Sequence, residues 1–254
     1  MFEHFHSLLH SPAAYLRAVA HLDATPHSNS NQLSLPMKKP LTPLTFRIAG
    51  LAALGLMLFV APTARAADAS WLGNTNALWS TAANWSAATP GVGNTATFNA
   101  ASGNTTITVG TISLANITFD TSSAAAYTLG ATPSADTITF GNGTTTAVTM
   151  NSAVTANQII NAGFTLGNAT ASTTTFQNDS TAGTLTLGGN ITSGTGGTAG
   201  AKTVIITGAG NTTMSGVLSN GGASSVALTK NGTGALTLSG GNAYTGTTTV
   251  QRTA

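Results

Sequence analysis

The chain has 254 residues, of which 41% are hydrophobic and only 6% charged, and its formal net charge at pH 7 is +2. An ordinary globular domain has about 25% charged residues, but a chain this hydrophobic can bury a core, so the composition argues against disorder. The sequence has no cysteine, which excludes disulfide bonds and thiol chemistry.

The positive charge is concentrated at the beginning of the chain. After Ala66 the sequence has three cations and four acidic residues, a net charge of −1: Lys202, Lys230, Arg252, Asp68, Asp120, Asp136 and Asp179. No basic patch remains for phosphates, so we expect no binding of nucleic acid.

Residues 37–66 predict a secretory signal peptide. Lys38 and Lys39 give a basic start, an apolar run covers residues 48–61, and an Ala-Arg-Ala sequence ends at Ala66. The run has 14 residues, fewer than the roughly 20 that a helix needs to span a bilayer. We therefore expect a helical Sec-type signal that is cleaved after Ala66, so that the chain meets the membrane only through its export signal.

Residues 1–36 are interpreted as a non-native extension, because a normal signal peptide begins at Met37. All five histidines lie in this extension. The spacing of His4, His6 and His10 fits no ordinary zinc pattern, and neither a metal site nor a cofactor is predicted.

Residues 67–100 contain all three tryptophans of the chain. A stacked β-structure exposes an open edge at its first turn, and we expect Trp71, Trp79 and Trp85 to cover that edge as an N-terminal cap. The alternative is that these three side chains are carbohydrate contacts, since flat aromatic faces stack on sugar rings.

Residues 101–254 consist of short runs in which apolar residues alternate with threonine, separated by glycine and asparagine. The sequence LTLGGN at residues 185–190 recurs in modified form, LTLSGGN, at residues 236–242. Such imperfect repeats predict an all-β protein, a right-handed parallel β-helix (β-solenoid) of about nine turns at ~20 residues a turn. An antiparallel sandwich or barrel is the competing architecture.

The last repeat, residues 228–250, has two strand-like runs with glycine-rich corners. Gly232, Gly234, Gly240, Gly241 and Asn242 tolerate positive φ, so the chain is predicted to turn sharply on both sides of a short strand. The stretch resembles the autotransporter-associated β-strand repeat at Leu228, Thr229, Lys230, Gly234, Leu236, Thr237, Leu238, Ser239, Gly240, Asn242, Tyr244, Thr245, Gly246, Thr248 and Val250.

This resemblance implies the passenger part of a bacterial autotransporter, secreted or held at the cell surface. The chain stops where the repeat would continue, so we expect a truncated passenger whose C-terminal translocator is missing.

Catalytic chemistry is not predicted. The segment after Ala66 has no histidine, cysteine or glutamate, which removes the commonest general bases, the thiol nucleophile and most metal sites. Asp120 and Asp136 are 16 residues apart and would have to lie on adjacent turns to act together as a pair of carboxylates. Thr-x-Thr triplets are numerous, but their spacing is too irregular for one flat face.

The sequence therefore favours a non-catalytic structural or adhesive surface protein whose ligand is a surface polysaccharide or another cell-surface molecule. The alternative is a β-helical protein that binds or degrades polysaccharide. A third reading is a fragment without an independent role.

Overall fold

The computed structural model describes residues 66–141, 144–167, 171–194 and 200–251, except for the side chains of 144–146. The signal peptide and the extension predicted before it lie outside these residues. The described part contains one short 3₁₀ helix, Ala82–Asn84, and eighteen strands. The strands are β1 (Ala69–Ser70), β2 (Thr95–Phe98), β3 (Thr106–Ile107), β4 (Thr111–Leu114), β5 (Asn116–Phe119), β6 (Thr128–Leu129), β7 (Thr137–Phe140), β8 (Thr144–Met150), β9 (Gln158–Ile160), β10 (Gly163–Leu166), β11 (Ser172–Asn178), β12 (Leu185–Leu187), β13 (Ile191–Ser193), β14 (Ala201–Thr207), β15 (Thr212–Met214), β16 (Ser225–Lys230), β17 (Leu236–Leu238) and β18 (Thr248–Val250).

The strands form three parallel sheets. Sheet I has the order β1-β2-β5-β8-β11-β14-β16-β18, sheet II the order β3-β6-β9-β12-β15-β17, and sheet III the order β4-β7-β10-β13. Each turn of the chain contributes one strand to sheet I, one to sheet II and then a strand or a bridge to sheet III. The predicted parallel β-solenoid is confirmed and the antiparallel alternative is excluded, while the right-handed sense stays a prediction.

The number of turns is smaller than predicted. Sheet II has six strands, one for each of about six turns, where the sequence predicted nine. The paired residues Thr95 and Asn116 are 21 positions apart, but Ile117 and Val148 are 31 apart and Thr173 and Thr203 are 30 apart. The prediction was wrong because the corners of the middle turns contain extra residues that a uniform repeat length does not allow for.

The core is formed by every second residue of the strands, whose side chains point inward. In β2 and β5 the burial alternates strictly, with Phe98 and Phe119 inside and their ring centroids 5.3 Å apart in a stacked pair. Phe140 and Phe164 form a second stacked pair at 5.5 Å on sheet III. Phe98 and Phe119 are direct register partners, so parallel pairing places these two side chains over one another in successive turns. Phe164 is instead the register partner of Ile138, so the second pair is offset by two residues along the strands.

The corners of the last repeat use glycine mainly for close approach. Of the five corner residues that tolerate positive φ, Gly232 uses this freedom, with a φ of +75°. A Cβ atom on Gly234 would lie 1.9 Å from the carbonyl oxygen of Gly210, and one on Gly240 would lie 2.2 Å from that of Gly216. Asn242 has another use, because its Oδ1 accepts the backbone N–H of Leu218 at 2.8 Å.

Within the described ranges, no helix has both the length and the apolar character that would be needed to cross a bilayer.

Candidate binding surface

The three tryptophans predicted as cap or sugar contacts lie together inside the first turn. Trp71, Trp79 and Trp85 are 0%, 1% and 4% exposed. The ring of Trp85 meets those of Trp71 and Trp79 edge to face, with centroids 5.0 and 4.6 Å away, and all three rings lie within 6.4 Å of Phe98. Such aromatic pairs add to the stabilisation that burial already provides.

The indole N–H groups of all three tryptophans also donate hydrogen bonds. Trp71 donates to the carbonyl of Asn104 at 3.0 Å, Trp79 to that of Pro90 at 3.3 Å, and Trp85 to that of Trp79 at 2.8 Å. A sugar needs an exposed ring face, and these rings have none. The burial of Trp71, Trp79 and Trp85 therefore favours packing over the alternative of carbohydrate contact.

The backbone of the tryptophan-rich segment is bonded to the first turn. The N–H of Trp71 donates to the carbonyl of Thr97 at 2.8 Å, and that of Trp79 to the carbonyl of Thr108 at 3.0 Å. The segment thus adds β1 beside β2 in sheet I and a parallel bridge from Leu78 to Thr108. A capping function for residues 67–100 remains a prediction that these contacts make physically reasonable.

The two aspartates considered for catalysis lie apart from each other, and both carboxylates accept hydrogen bonds. Asp120 follows β5 and Asp136 precedes β7, so the two lie at different corners of one turn and not on adjacent turns. Asp120 accepts a hydrogen bond from the amide of Asn151, and Asp136 accepts the backbone N–H of Val109 at 2.9 Å. Among the described residues, no three histidine, cysteine, aspartate or glutamate side chains are grouped as a metal site would require.

The outer face of sheet I is the broadest regular surface of the solenoid. Thr97, Thr118 and Thr149 occupy equivalent positions on three successive strands, and each alternates with buried neighbours. A second column beside it contains Thr175, Ile205, Thr229 and Thr249. We call this face the sheet I wall, and its residues are Thr95, Thr97, Asn116, Thr118, Thr149, Thr173, Thr175, Gln177, Thr203, Ile205, Thr207, Ser225, Ala227, Thr229 and Thr249.

None of these wall residues is charged. Residues two apart on a strand are about 6.6 Å apart and neighbouring strands about 4.8 Å, so the wall is a two-dimensional array of hydroxyl and methyl groups. The other two sheets have shorter strands and fewer outward residues, and sheet III begins with a second short column of Thr111 and Thr137. On sheet II the column is Thr106, Thr128, Ile159, Thr186, Thr213 and Thr237, and on sheet III it includes Thr139, Thr165 and Thr192.

The Thr-x-Thr triplets are indeed divided among different faces, as their irregular spacing indicated. Those beginning at Thr144 and Thr173 belong to sheet I, whereas Thr106 belongs to sheet II and Thr137 to sheet III. Sequence reasoning nevertheless missed that the threonines of sheet I align in register across turns of unequal length.

Lys230 is a further residue whose placement was missed. It is only 9% exposed, and its Nζ donates to the carbonyls of Asn231 at 2.7 Å and Gly232 at 2.9 Å. Burial lowers the pKa of this amine below its usual value. The signal was present in the sequence, because Lys230 shares the two-residue period of Val226 and Leu228, which face the core.

Lys230 borders a hollow of about 370 Å³ at the last turns. Leu228, Leu236, Leu238 and Val250 line it, and Leu238 and Val250 are 39% and 72% exposed. The alternation of Leu236 and Leu238 with Thr237 predicts that the two leucines of β17 face inward. They continue the inward line of Thr212 and Met214 on β15, and they stay partly exposed because no described strand pairs with the other edge of β17.

Residues 228–252 match the family model of the passenger-associated-transport-repeat. This match confirms the resemblance to the autotransporter-associated repeat and covers the last three residues of β16 together with β17 and β18. Comparison with curated proteins and with solved structures gave no match. The repeat and the β-solenoid fit an autotransporter passenger-like protein, a class that is exported or displayed at the cell surface.

Proposed function

We propose that the protein is a non-catalytic adhesive passenger, exported by the signal of residues 37–66, that binds its ligand through the sheet I wall. The observation that supports the proposal is a pair of adjacent columns of uncharged side chains, most of them threonine, that together extend over seven strands of one sheet, on a chain that contains an export-associated repeat. A wall of this kind has no pocket for a single small molecule. Its binding energy comes from area and from many weak contacts acting together.

The chemistry of the wall favours a neutral, extended ligand. Threonine hydroxyls donate and accept hydrogen bonds, and their methyl groups offer apolar contact to the faces of sugar rings. A surface polysaccharide or another uncharged cell-surface polymer fits this combination. A nucleic acid does not, because the wall has no cation to pair with phosphates.

The hydrogen bonds of the Asp120 and Asp136 carboxylates support a non-catalytic role. Asp136 and Asp120 are held by hydrogen bonds at separate corners, and the segment after Ala66 contains no histidine or glutamate to act as a general base. Hydrolysis of a glycosidic bond ordinarily uses a pair of carboxyl groups on either side of that bond. Reducing ends released by the protein from a polysaccharide, and lost on Asp136→Asn, would contradict the proposal.

The test of the adhesive face uses paired variants. The exported chain is incubated with insoluble polysaccharides and with bacterial cells, and the bound fraction is measured. Glutamate at Thr118 and Thr175 should reduce binding, because each places a charge that must be desolvated at the contact. Glutamate at Thr128 and Thr186 makes the same chemical change on sheet II and should leave binding unchanged.

Both double variants must first show the same far-ultraviolet circular dichroism and thermal transition as the parent chain. Equal loss of binding in the two variants, or a parent chain that binds none of the surfaces, would show that the sheet I wall is not the adhesive face.

A further inference from the structure

The corner that follows β16 brings together three groups with reactive potential. The backbone N–H of Gly232 donates to the side-chain Oδ1 of Asn231 at 2.9 Å, and Gly232 has a φ of +75°. The nitrogen of the Asn231–Gly232 peptide is therefore next to the amide carbon, Cγ, of the Asn231 side chain. These two atoms are the nucleophile and the electrophile in the cyclisation of an asparagine side chain.

Lys230 donates a hydrogen bond to the peptide group that joins Asn231 to Gly232. Its Nζ donates to the carbonyl oxygen of Asn231 at 2.7 Å, and this oxygen and the nitrogen of Gly232 belong to one peptide bond. When that nitrogen loses its proton, the negative charge is shared with the carbonyl oxygen. A cationic donor at the oxygen stabilises this anion, since hydrogen bonds between ionised partners are the strong ones.

We propose that Asn231 is a site of spontaneous deamidation that is assisted by Lys230. The nitrogen of Gly232 gives its proton to hydroxide and forms a bond to Cγ of Asn231, and the bond from Cγ to the side-chain nitrogen breaks as ammonia leaves with a proton from water. The product is a five-membered succinimide. Addition of one water molecule opens this ring to aspartate or isoaspartate, so the net reaction consumes one water and releases one ammonia.

A second Asn-Gly pair in the same chain supplies an internal control. Gly221 also has a positive φ, +56°, but the side chain of Asn220 is held elsewhere. Its Oδ1 accepts the backbone N–H groups of Val226 at 2.9 Å and Thr245 at 3.1 Å, and its Nδ2 donates to Oγ1 of Thr245 at 2.8 Å. Breaking these bonds is the first requirement for cyclisation at Asn220, whereas Asn231 needs no such step.

Deamidation at Asn231 would change this corner in one of two ways. Aspartate places a carboxylate beside the Lys230 amine, which adds an ion pair. Isoaspartate inserts a backbone carbon where the turns are in close contact, since a Cβ on Gly232 would already lie 2.6 Å from the carbonyl oxygen of Gly208. The isoaspartate form should loosen β17 and β18, which follow this corner.

The test compares both asparagines in the folded and the unfolded chain. The full chain is incubated at mildly alkaline pH, with and without urea, and peptide mass spectrometry follows the deamidation of Asn231 and Asn220 with time. In the folded chain Asn231 should react at least tenfold faster than Asn220, because one charge-assisted hydrogen bond alone supplies about tenfold in a transition state and Asn220 must also break its own hydrogen bonds first. In urea the two rates should approach each other, and a rate ratio that is the same in both states would overturn the proposal.

Variants at Lys230 separate its assistance from the placement of Asn231. Lys230→Met should slow the reaction at Asn231 about tenfold while the rate at Asn220 stays unchanged, and Lys230→Arg should retain most of the rate because the cation remains. A folded Lys230→Met chain that deamidates at the parent rate would refute the assistance by lysine. If this variant unfolds, the comparison of Asn231 with Asn220 in the parent chain still tests the site.

Discussion

At the scale of single residues, asparagine side chains connect neighbouring turns through hydrogen bonds to the backbone, in a chain that has few charged residues. Asn190 Oδ1 accepts the backbone N–H of Val217 at 2.9 Å, and Asn211 Oδ1 accepts that of Ala235 at 3.0 Å. Asn178, which is fully buried, donates to the carbonyls of Gly183 and Asn211. These contacts occur at corners, where the strand ladder is interrupted and backbone groups would otherwise lack partners.

Tyr127 gives the chain a predictable response to alkaline pH. Its ring is buried, its hydroxyl donates to the carbonyl of Ala100 at 2.6 Å, and burial raises its pKa from 10.0 to about 12. The raised pKa means that the unfolded chain loses this proton first, so the stability contributed by Tyr127 is intact below about pH 10 and is lost as the pH rises to about 12.

We therefore expect the free energy of unfolding in urea to fall between about pH 10 and pH 12 and this fall to be smaller in Tyr127→Phe. Parallel stability curves for the parent and Tyr127→Phe across this range would contradict the assignment.

At the scale of elements, the corners carry the most specific sequence requirements. Gly189, Gly216 and Gly240 occupy equivalent corners after β12, β15 and β17 in three successive turns. A Cβ atom on Gly216 would lie 2.0 Å from the carbonyl oxygen of Gly189, and one on Gly240 would lie 2.2 Å from that of Gly216. The column of glycines allows the backbones of adjacent turns to approach each other, a use of glycine that does not depend on positive φ.

Two adjacent glycines test this explanation. Gly240→Ala should lower the free energy of unfolding by about 1–3 kcal/mol, because the new methyl group must displace backbone. Gly241→Ala adds the same methyl group where nothing lies within 4 Å, and its effect should stay within about 0.5 kcal/mol. Urea unfolding of both variants measures the difference, and equal effects would show that the Gly240 corner relaxes without cost.

At the scale of the whole molecule, the scarcity of charge distinguishes this solenoid from an electrostatically guided binder. The two described lysines, Lys202 and Lys230, are 3% and 9% exposed, and neither belongs to the sheet I wall. Association through hydroxyl and methyl groups involves no pairing of opposite charges. The proposed adhesion should accordingly be insensitive to ionic strength.

The expected result is that binding of the exported chain to its polymer changes less than about twofold between 0.05 and 0.5 M sodium chloride, although the Debye length shortens about threefold over that range. The bound fraction in pull-down with insoluble polysaccharide gives the measurement. A steep loss of binding with salt would indicate that charges outside the wall carry the contact.

Several features could be predicted because their cause is local. Alternation of apolar residues with threonine in Leu236–Leu238 depends only on the two-residue period of a strand, and the structure has β17 at this position. The all-β class and the repeat at residues 228–252 follow from such short patterns. The inward placement of Lys230 could also have been read from the same period as Leu228.

The remaining features depend on contacts between distant residues. How many turns the chain makes, and whether Thr118 lies over Thr97 and under Thr149, is set by corner lengths and by hydrogen-bond register between strands 21 to 31 residues apart. The burial of three tryptophans around Phe98 likewise depends on packing between residues that are distant in sequence.

The sequence alone determined that this chain forms short amphipathic strands separated by tight corners, because strand period and backbone sterics act within a few residues. Only the tertiary structure decided which strands are neighbours and which side chains share a face, because parallel register is a non-local contact.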